Sequence, residues 1–393
     1  MYDVIVLGAR PAGAATAMLL ARRGRRVLMV DRARFPSDTL STHQVQPSGI
    51  DRLRRWGLLE RLLAAGTPVT DHVRFDVGGT VLAGRFPPAA GDPDTPGILC
   101  SPRRTVLDKL LVDAAREAGA EVLEGFHVAG LTKEGDRVTG IRGRDGTEHR
   151  APVVVGADGK HSLVAREVAA PVLREVPPRT VASYSYWEGV DLPRGELYHR
   201  PGRAVAAFPT NDGLTMVYTA APITAFDTWR KDVEGALLAT VDGCGDLGAR
   251  VRSGRRVERL RTTVDLPNVV RRAHGPGWFL AGDAATVMDP VTAQGIGNAL
   301  ADAELLAATI ADGGDGGTYQ RARDEARLPM FDLTTGLASL RAPKGFAALF
   351  LRAVARRQAS TEQFLGVFAG TVPVRAFQRR RNVARILVQR ARG

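Results

Sequence analysis

The hydrophobic and polar positions at the start of the chain alternate between strand-like and helix-like patterns. The apolar run from Asp3 to Leu7 leads into a glycine turn, PAGAATAMLLARRG has helical character, and RVLMVD is a second apolar run that ends at Asp31. Short turns that join buried strands to helices are typical of α/β domains with a parallel sheet. The pattern therefore predicts a strand, a helix and a strand over residues 3–31.

The pattern continues along the chain. An amphipathic helix is predicted around Ile50–Ala65, a further helix over RRTVLDKLLVDAAREAG, and a buried strand at PVVVGADG. A second sheet is predicted from about Val176 to Leu266, with a hairpin that turns on Asn211-Asp212-Gly213. GWFLAGDA returns to a buried strand, and VTAQGIGNALADAELLAATIADG and most of the remainder are predicted to be helical.

Composition limits the class of protein. A length of 393 residues suggests two or three packed domains, and 44% hydrophobic with 24% charged residues is a globular composition. The strand pattern that begins at residue 3 predicts that no signal peptide precedes it. Cys100 and Cys244 are the two cysteines, far apart and in no metal or redox spacing. We therefore expect a cytoplasmic protein without a metal site.

The net charge of +12 is concentrated in the tail. From Arg352 to the end there are ten arginines and one acidic residue, Glu362, which gives +9 for this segment. Five apolar residues are interspersed among these charges: Val374, Phe377, Val383, Ile386 and Leu387. A basic groove interleaved with aromatic residues is not visible. The tail is therefore predicted to be a packed or surface helix rather than a nucleic-acid arm.

The first turn carries candidate nucleotide chemistry. It contains Gly8-Ala9-Arg10-Pro11-Ala12-Gly13, where a dinucleotide-binding turn has G-x-G-x-x-G. Phosphate oxygens would meet free N–H groups at the start of the following helix. Asp31 is placed to accept hydrogen bonds from an adenosine ribose, as in FAD or NAD. Arg10 replaces the second glycine, and its guanidinium points either at the pyrophosphate or into solvent.

Two later segments have a similar form. VVVGADGKHSLVAR (Val153–Arg166) and FLAGDAATVMDPVTAQGIGNALADAELLA (Phe279–Ala307) each begin as a buried strand and continue into a turn of small residues with an aspartate, Asp158 or Asp283. The carboxyl ends of parallel strands lie at one edge of a sheet, where ligands bind. We therefore expect the three segments to form one crevice.

These three segments resemble the fingerprints of FAD-dependent monooxygenases of the p-hydroxybenzoate hydroxylase type, a group that includes geranylgeranyl reductase relatives and flavin halogenases. The resemblance covers most of residues 1–310. It implies that Asp283 binds the flavin ribityl chain, that Arg104 lies near the ribityl–phosphate region, and that Asp158 supports the pyrophosphate region. The cofactor-binding positions that it implies are Gly8, Arg10, Pro11, Ala12, Gly13, Asp31, Arg32, Arg104, Val128, Asp158, Gly282, Asp283, Pro290, Gly295 and Ile296.

The resemblance also implies the architecture. We expect an α/β fold with a Rossmann-like FAD-binding domain, a mainly antiparallel substrate-domain sheet and a C-terminal helical segment. The FAD-binding domain is predicted to be discontinuous, comprising residues 1–70, 97–175 and 270–320. The substrate-binding sheet domain is predicted over 71–96 and 176–269, and the helical region over 321–393.

The activity implied is that of an FAD-dependent oxidoreductase that hydroxylates an aromatic or polycyclic small molecule with molecular oxygen, through a flavin hydroperoxide. The electrons come either from NAD(P)H on this chain or from a separate flavin reductase. One alternative is an FAD-dependent reductase of isoprenoid double bonds, and another is a nucleotide- or nucleic-acid-binding protein that uses the tail. Halogenation is disfavoured because the W-x-W-x-I-P element of the halogenases is absent. We expect no nucleic-acid partner and no membrane contact.

Candidate substrate residues come from the second sheet and from one loop. The aromatic candidates of the sheet are Tyr184, Tyr186, Trp187, Tyr198 and Phe208, although half-buried aromatic residues in sheets are more often core. His43, in STHQVQPSG, lies in a segment that the resemblance places near the flavin, where it could orient or deprotonate a phenol. The helix that starts near Thr292–Gly295 would direct its positive end at the anionic edge of a reduced flavin.

Overall fold

The computed structural model describes residues 1–41, 43–89 and 92–388. The strands in these ranges are β1 (Val4–Leu7), β2 (Val27–Asp31), β3 (Val69–Thr70), β4 (His72–Val77), β5 (Thr80–Arg85), β6 (Leu99–Cys100), β7 (Glu121–Glu124), β8 (Val128–Glu134), β9 (Arg137–Gly143), β10 (Glu148–Arg150), β11 (Val153–Gly156), β12 (Val172–Val176), β13 (Thr180–Glu188), β14 (Gly195–Arg200), β15 (Arg203–Pro209), β16 (Thr215–Pro222), β17 (Arg255–Arg256), β18 (Arg261–Thr263), β19 (Asn268–Arg271), β20 (His274–Gly275), β21 (Trp278–Leu280) and β22 (Thr286–Val287).

The helices in the same ranges are α1 (Pro11–Ala21), α2 (Pro47–Arg55), α3 (Leu59–Ala64), α4 (Arg104–Glu117), α5 (Leu163–Glu167), α6 (Phe226–Trp229), α7 (Val233–Asp242), α8 (Leu247–Ser253), α9 (Gly295–Ala311), α10 (Gly316–Leu337), α11 (Phe346–Ala355), α12 (Gln358–Ala369), α13 (Val374–Phe377) and α14 (Arg380–Val388). None of the helices in the described ranges is long and apolar enough to cross a membrane.

A six-stranded sheet in the order β20-β21-β11-β1-β2-β7 forms the nucleotide-binding half of the molecule. Its strands are parallel except β20. Strand β1 is buried along its whole length, which explains its uninterrupted apolar sequence, since parallel strands are covered on both faces. The carboxyl ends of β1, β11 and β21 lie side by side. This edge brings together the turns that contain Gly8, Asp158 and Asp283.

Helix α1 is buried on almost every side, because it lies between the sheet and the neighbouring helices α4 and α9. Its alanines Ala14, Ala15 and Ala17 are completely inaccessible to solvent. Small side chains allow helices to approach closely at these positions. A helix that is apolar on all faces must be buried, and its position fixes the turn that precedes it.

The second large sheet has the path β17-β13-β16-β15-β14-β4-β5, with β18 paired to β13. Its two faces contact different elements. One face, which we call the inner face, packs with residues of the C-terminal helices. The other, the outer face, packs against α7 and α8. The predicted hairpin is confirmed as β15 and β16, which pair in antiparallel register around the turn Asn211–Gly213.

The prediction of one helix around Ile50–Ala65 is wrong in one respect, because the chain forms two helices there. α2 ends at Arg55 and α3 begins at Leu59. Gly57 between them has φ of +75°, a left-handed conformation that ends a helix and that glycine adopts without strain. The amphipathic period continues across this break, so the pattern alone did not reveal it.

The C-terminal helices α11 to α14 cover the inner face of the second sheet. Val374, Phe377 and Ile386 are buried in that contact, with Ile386 only 2% exposed. The arginines of α14 lie on its opposite, exposed side. The last described helix, α14, is therefore an amphipathic helix packed on the protein, and residues 389–393 lie outside the described residues.

Candidate flavin and substrate site

Two glycines make the first turn possible. Gly8 has φ of +96°, and a Cβ atom there would collide with the carbonyl oxygen of Ala157. A Cβ atom at Gly13 would collide with the carbonyl oxygen of Gly8. Both positions therefore require glycine, the first for its backbone conformation and the second for close packing of helix and turn.

The N-terminus of α1 is open to a ligand. The helix begins at Pro11, its N-cap residue Arg10 has no capping side chain, and its first turn contains no acidic residue. The first N–H groups of such a helix lack intrahelical partners, and the helix dipole gives them a positive potential. The arrangement suits the pyrophosphate of a dinucleotide.

Asp31 stabilises this turn directly. Its two carboxylate oxygens accept hydrogen bonds from the N–H groups of Ala9 and Ala33, each at 2.7 Å. The next residue, Arg32, is exposed. Val128 is half-buried at the start of β8 and packs on the core around the six-stranded sheet. The contacts of these three residues with a nucleotide stay predictions.

Arg10 is fixed by protein groups and does not extend freely into solvent. Its guanidinium donates to Asp108 at 2.5 Å, to the hydroxyl of Ser37 at 3.2 Å and to the carbonyl of Asp38 at 3.3 Å. It also lies 5.6 Å from the centre of the Phe35 ring. Arg10 thus ties the fingerprint turn to helix α4 and to the loop that follows β2.

Asp108 is a residue that the sequence reasoning missed. It is completely buried and binds Arg10 and Arg104 together, the latter through two bonds of 2.8 and 2.9 Å. Arg104 and Asp108 are four residues apart on α4, a spacing that places them on one helix face. The shared carboxylate holds both guanidinium groups near the crevice.

Asp158 and Asp283 have different environments. Asp158 accepts hydrogen bonds from the Ser162 hydroxyl and from the N–H of Leu163 at 2.7 Å, so it helps to begin α5. The Asp283 side chain is exposed to solvent, but protein surrounds the position on most sides. This burial raises the pKa of Asp283, and the positive charges of Arg104 and Lys160 only partly oppose the increase. A carboxyl group with both properties lies in the wall of a cleft. Solvent and a ligand can both reach its oxygens there.

The N-terminus of α9 faces open space. Gly295 begins the helix without a capping side chain, and neither Gly295 nor Gly297 has a described heavy atom within 4 Å of the position that a Cβ atom would take. Pro290 lies in the preceding turn, which the carboxylate of Asp289 closes by accepting from the N–H of Val291 at 3.0 Å. Ile296 is buried behind the opening.

His43 forms a buried cluster with two tyrosines of β13. The Tyr186 hydroxyl and the His43 Nε2 are 2.7 Å apart, and both tyrosine rings contact the imidazole edge-to-face at 5.6 Å. Burial and then the charge of Arg104 lower the pKa of His43 to about 3. Its Nδ1 is buried and finds no hydrogen-bond partner among the described residues. Arg103 covers the Tyr186 ring at 4.4 Å.

The five aromatic candidates of the sheet do not share one face. Tyr184, Tyr186 and Phe208 lie on the inner face. Trp187 and Tyr198 belong to the core on the outer face, against α7 and α8. The prediction that these last two line the same pocket is therefore wrong. Neighbouring residues of a strand point to opposite faces, which separates Trp187 from Tyr186.

The crevice fits FAD by the chemistry of its groups. Two open helix N-termini suit the pyrophosphate and an anionic flavin edge, and Asp283 is a hydrogen-bond acceptor accessible for a ribityl chain. The space in front of Gly295 and Gly297 leaves room for a ring system. These observations identify the class of protein as a flavoprotein with a dinucleotide crevice and an adjacent aromatic sheet.

Comparison with known proteins specifies the family. Residues 1–323 match the family described as FAD binding domain, and the chain belongs to this family. It is an FAD-dependent oxidoreductase, and the resemblance inferred from the three fingerprints is confirmed.

The relatives of this chain include both monooxygenases and reductases. It is 28% identical over 329 residues to 6-methylpretetramide 4-monooxygenase of Streptomyces rimosus, which covers 79% of this chain and 75% of the relative. It is 28% identical to rifampicin monooxygenase of Rhodococcus hoagii, over 86% and 71% of the two chains. It is 27% identical to menaquinone reductase of Mycolicibacterium smegmatis, over 79% and 77%.

Solved structures confirm the predicted fold class. The flavin-dependent brominase Bmp2 superposes with a TM-score of 0.80 at 20% identity, covering 100% of this chain and 98% of the other. PqsL from Pseudomonas aeruginosa, described as a probable FAD-dependent monooxygenase, gives 0.71 at 21% identity, covering 93% and 99%. At these identities the likeness concerns the fold alone.

Proposed function

We propose that the protein is an FAD-dependent monooxygenase that inserts one oxygen atom into an aromatic or polycyclic small molecule and uses NAD(P)H as electron donor. The observation that carries this proposal is the buried His43–Tyr186 pair on the inner face of the sheet, which has an imidazole nitrogen unpartnered among the described residues and is close enough to Arg104 to be affected by its charge. A polar atom left without a partner in a buried position is costly, and a bound ligand would satisfy it.

The residues of the crevice would hold FAD, and the cofactor when bound would supply the activation of oxygen and the transfer of one oxygen atom. The overall balance is substrate-H, O₂, NAD(P)H and a proton giving substrate-OH, NAD(P)⁺ and water. The open N-termini of α1 and α9, Asp31, Arg104 and Asp283 bind and orient the cofactor. Asp158 supports the turn beside it.

His43 orients the substrate in this proposal. A pKa of about 3 keeps the imidazole neutral at pH 7 and makes it a weak base. With the proton on Nε2 and shared with Tyr186, Nδ1 accepts a hydrogen bond from a phenolic hydroxyl. With the opposite tautomer, Nδ1 donates to a carbonyl. Either bond directs the ring of the substrate without requiring that His43 take up the proton.

The test combines oxygen consumption with isotope incorporation. The purified yellow protein is mixed with NADH or NADPH and with candidate phenols, and the product is analysed after reaction under ¹⁸O₂. We expect substrate-dependent oxygen uptake and one labelled atom in the product. Bleaching of the flavin only after addition of a separate flavin reductase would identify that reductase as the donor. Oxygen uptake that yields hydrogen peroxide and no labelled product with any substrate would oppose the proposal.

A second candidate is a reductase of isoprenoid double bonds. Reductases are also among the relatives, including digeranylgeranylglycerophospholipid reductase 2 of Methanopyrus kandleri at 27% identity, and the cleft beside the crevice has an apolar lining. Anaerobic reduction of a polyprenyl substrate, without oxygen uptake, would favour this function.

We also propose a cytoplasmic location without a nucleic-acid or membrane partner. Cys100 and Cys244 are free and buried, as suits a reducing compartment.

A further inference from the structure

A second feature beside the crevice is an apolar cleft on the inner face of the sheet. Its walls come from Gln44 and Gln46, from the turn Pro290–Ala293 before α9, and from Leu365 and Phe368 of α12. The cleft therefore lies between the flavin-binding half, the sheet and the C-terminal helices. The turn Pro290–Ala293 directly precedes α9, so the cleft lies next to the proposed flavin site.

Alanines on the sheet create this hollow. On β15 the inner-face residues are Ala204, Ala206 and Phe208, and Ala206 pairs with Tyr218 of β16. Ala206 and Tyr218 both line the cleft, and a side chain larger than alanine at position 206 would fill part of it. The neighbour of Tyr218 across the other strand is Tyr184.

Tyr218 lines the cleft and has a buried hydroxyl without a hydrogen-bond partner among the described residues. The residue is 4% exposed. Burial and then the negative charge of Asp289 raise its pKa well above the usual value. The group is a neutral phenol at pH 7 and can both donate and accept a hydrogen bond.

The remainder of the lining decides which ligands are excluded. Among the described residues that line the cleft, none is charged, and the polar ones besides Tyr218 are Gln44, Gln46 and Thr292. A carboxylate or ammonium group buried there would lose its hydration without gaining a counter-ion, which is strongly unfavourable. A hydroxyl or carbonyl group would instead gain the bond that Tyr218 lacks.

We propose that this cleft binds the substrate as a neutral, largely apolar ring compound whose hydroxyl or carbonyl oxygen bonds to Tyr218. The identification of this ligand as the substrate rests on the proposed function. The side chains leave about 40 Å³ of free volume, less than a drug-sized ligand needs. Binding of a ring compound therefore requires side chains that line the cleft to rearrange.

The experiment measures ligand binding to the oxidised, FAD-loaded protein without NAD(P)H. Three probes of equal ring size are titrated, 1-naphthol, 1-naphthoate and naphthalene, and the flavin absorbance spectrum or calorimetry reports binding. We expect 1-naphthol to bind at least about tenfold more tightly than 1-naphthoate, because only the carboxylate carries a charge.

Tyr218→Phe should weaken 1-naphthol about fivefold to tenfold, as the loss of one hydrogen bond predicts, and leave naphthalene unchanged. The matched control is Tyr198→Phe, a tyrosine on the outer face of the same sheet, which should leave all three affinities as they are. If Tyr218→Phe does not fold, Ala206→Leu fills the hollow instead and should abolish 1-naphthol binding while FAD is retained.

Equal or tighter binding of 1-naphthoate would overturn the proposal, and so would 1-naphthol binding that both Tyr218→Phe and Ala206→Leu leave intact. The titration needs neither oxygen nor turnover. A protein that shows this selectivity but no oxygen insertion would refute the proposed function alone, and one that oxygenates carboxylates would refute the cleft assignment alone.

Discussion

Replacement of Asp108 tests whether its carboxylate holds Arg10 and Arg104 beside the glycine turn that follows β1. It is fully buried and binds Arg10, whose side chain is 27% exposed, and Arg104, whose side chain is 8% exposed. In Asp108→Asn the carboxylate charge is lost, and two guanidinium groups remain close together without it. Removal of one partner of a buried ion pair lowers the free energy of unfolding by about 3–5 kcal/mol. We expect about 3 kcal/mol, because the asparagine oxygen still accepts one bond and water reaches Arg10.

The measurement is urea unfolding of the FAD-free protein, followed by circular dichroism, with FAD affinity measured separately by flavin fluorescence. Asp113→Asn on the same helix is the matched control. Asp113 pairs with Lys109 at the same four-residue spacing, but both side chains are at least 30% exposed. Such exposed pairs contribute about 0–1 kcal/mol. If the two variants lose equal stability, the Asp108 carboxylate does not hold Arg10 and Arg104 in place beside the glycine turn.

Four further predictions follow from other contacts. Arg10→Gly restores the common G-x-G-x-x-G sequence. Because protein groups already bind the Arg10 guanidinium, FAD affinity should stay within about threefold, while the free energy of unfolding falls by about 1.5–3 kcal/mol. A tenfold loss of affinity without a loss of stability would show that the Arg10 guanidinium binds pyrophosphate. Asp283→Ala should weaken FAD binding by about ten- to a hundredfold, measured by release on gel filtration, through the loss of a bond in a cleft. The folded pKa of His43 lies below its unfolded value of 6.5, so the unfolded state binds the extra proton and stability falls as the pH decreases from 6.5 towards 3. Between pH 6.5 and 5 the wild type should lose about 1.6 kcal/mol more than His43→Gln. Deletion from Asn382 onward removes the buried Ile386 and should reduce the free energy of unfolding. Neither the full-length nor the truncated protein should show salt-sensitive binding to nucleic acid.

Backbone requirements made the nucleotide crevice predictable from sequence. Gly8 and Gly13 occupy positions where a Cβ atom would collide with the backbone. A turn of this shape therefore requires glycine at these positions, and the glycines can be found in the sequence. The strands that precede Asp158 and Asp283 were visible as apolar runs. These local signals explain why the fold class was predicted correctly from residues 3–31, 153–166 and 279–307.

The contacts between distant segments could not be predicted in this way. The partner of Arg10 is Asp108, and only the packing of α4 beside α1 brings them together. The face of Tyr198 depends on strand register, which the sequence does not show. Trp187 is different, because strand alternation separates it from Tyr186, and that rule alone would have placed the two on opposite faces. The division into domains and the roles of individual site residues stay predictions.

The strand order of the six-stranded sheet has a consequence for biosynthesis. Val4 pairs with Val153, and Val154 pairs with Trp278, so β11 is separated from both strands beside it by well over a hundred residues of chain. Contacts of such long range form slowly, and synthesis proceeds at about 5–20 residues per second. Strand β1 can pair with β2 on one side early, but its other side is completed only when β11 emerges much later. The turns that follow β1, β11 and β21 form the crevice together, so we expect FAD to bind late in folding, after β21 has joined the sheet.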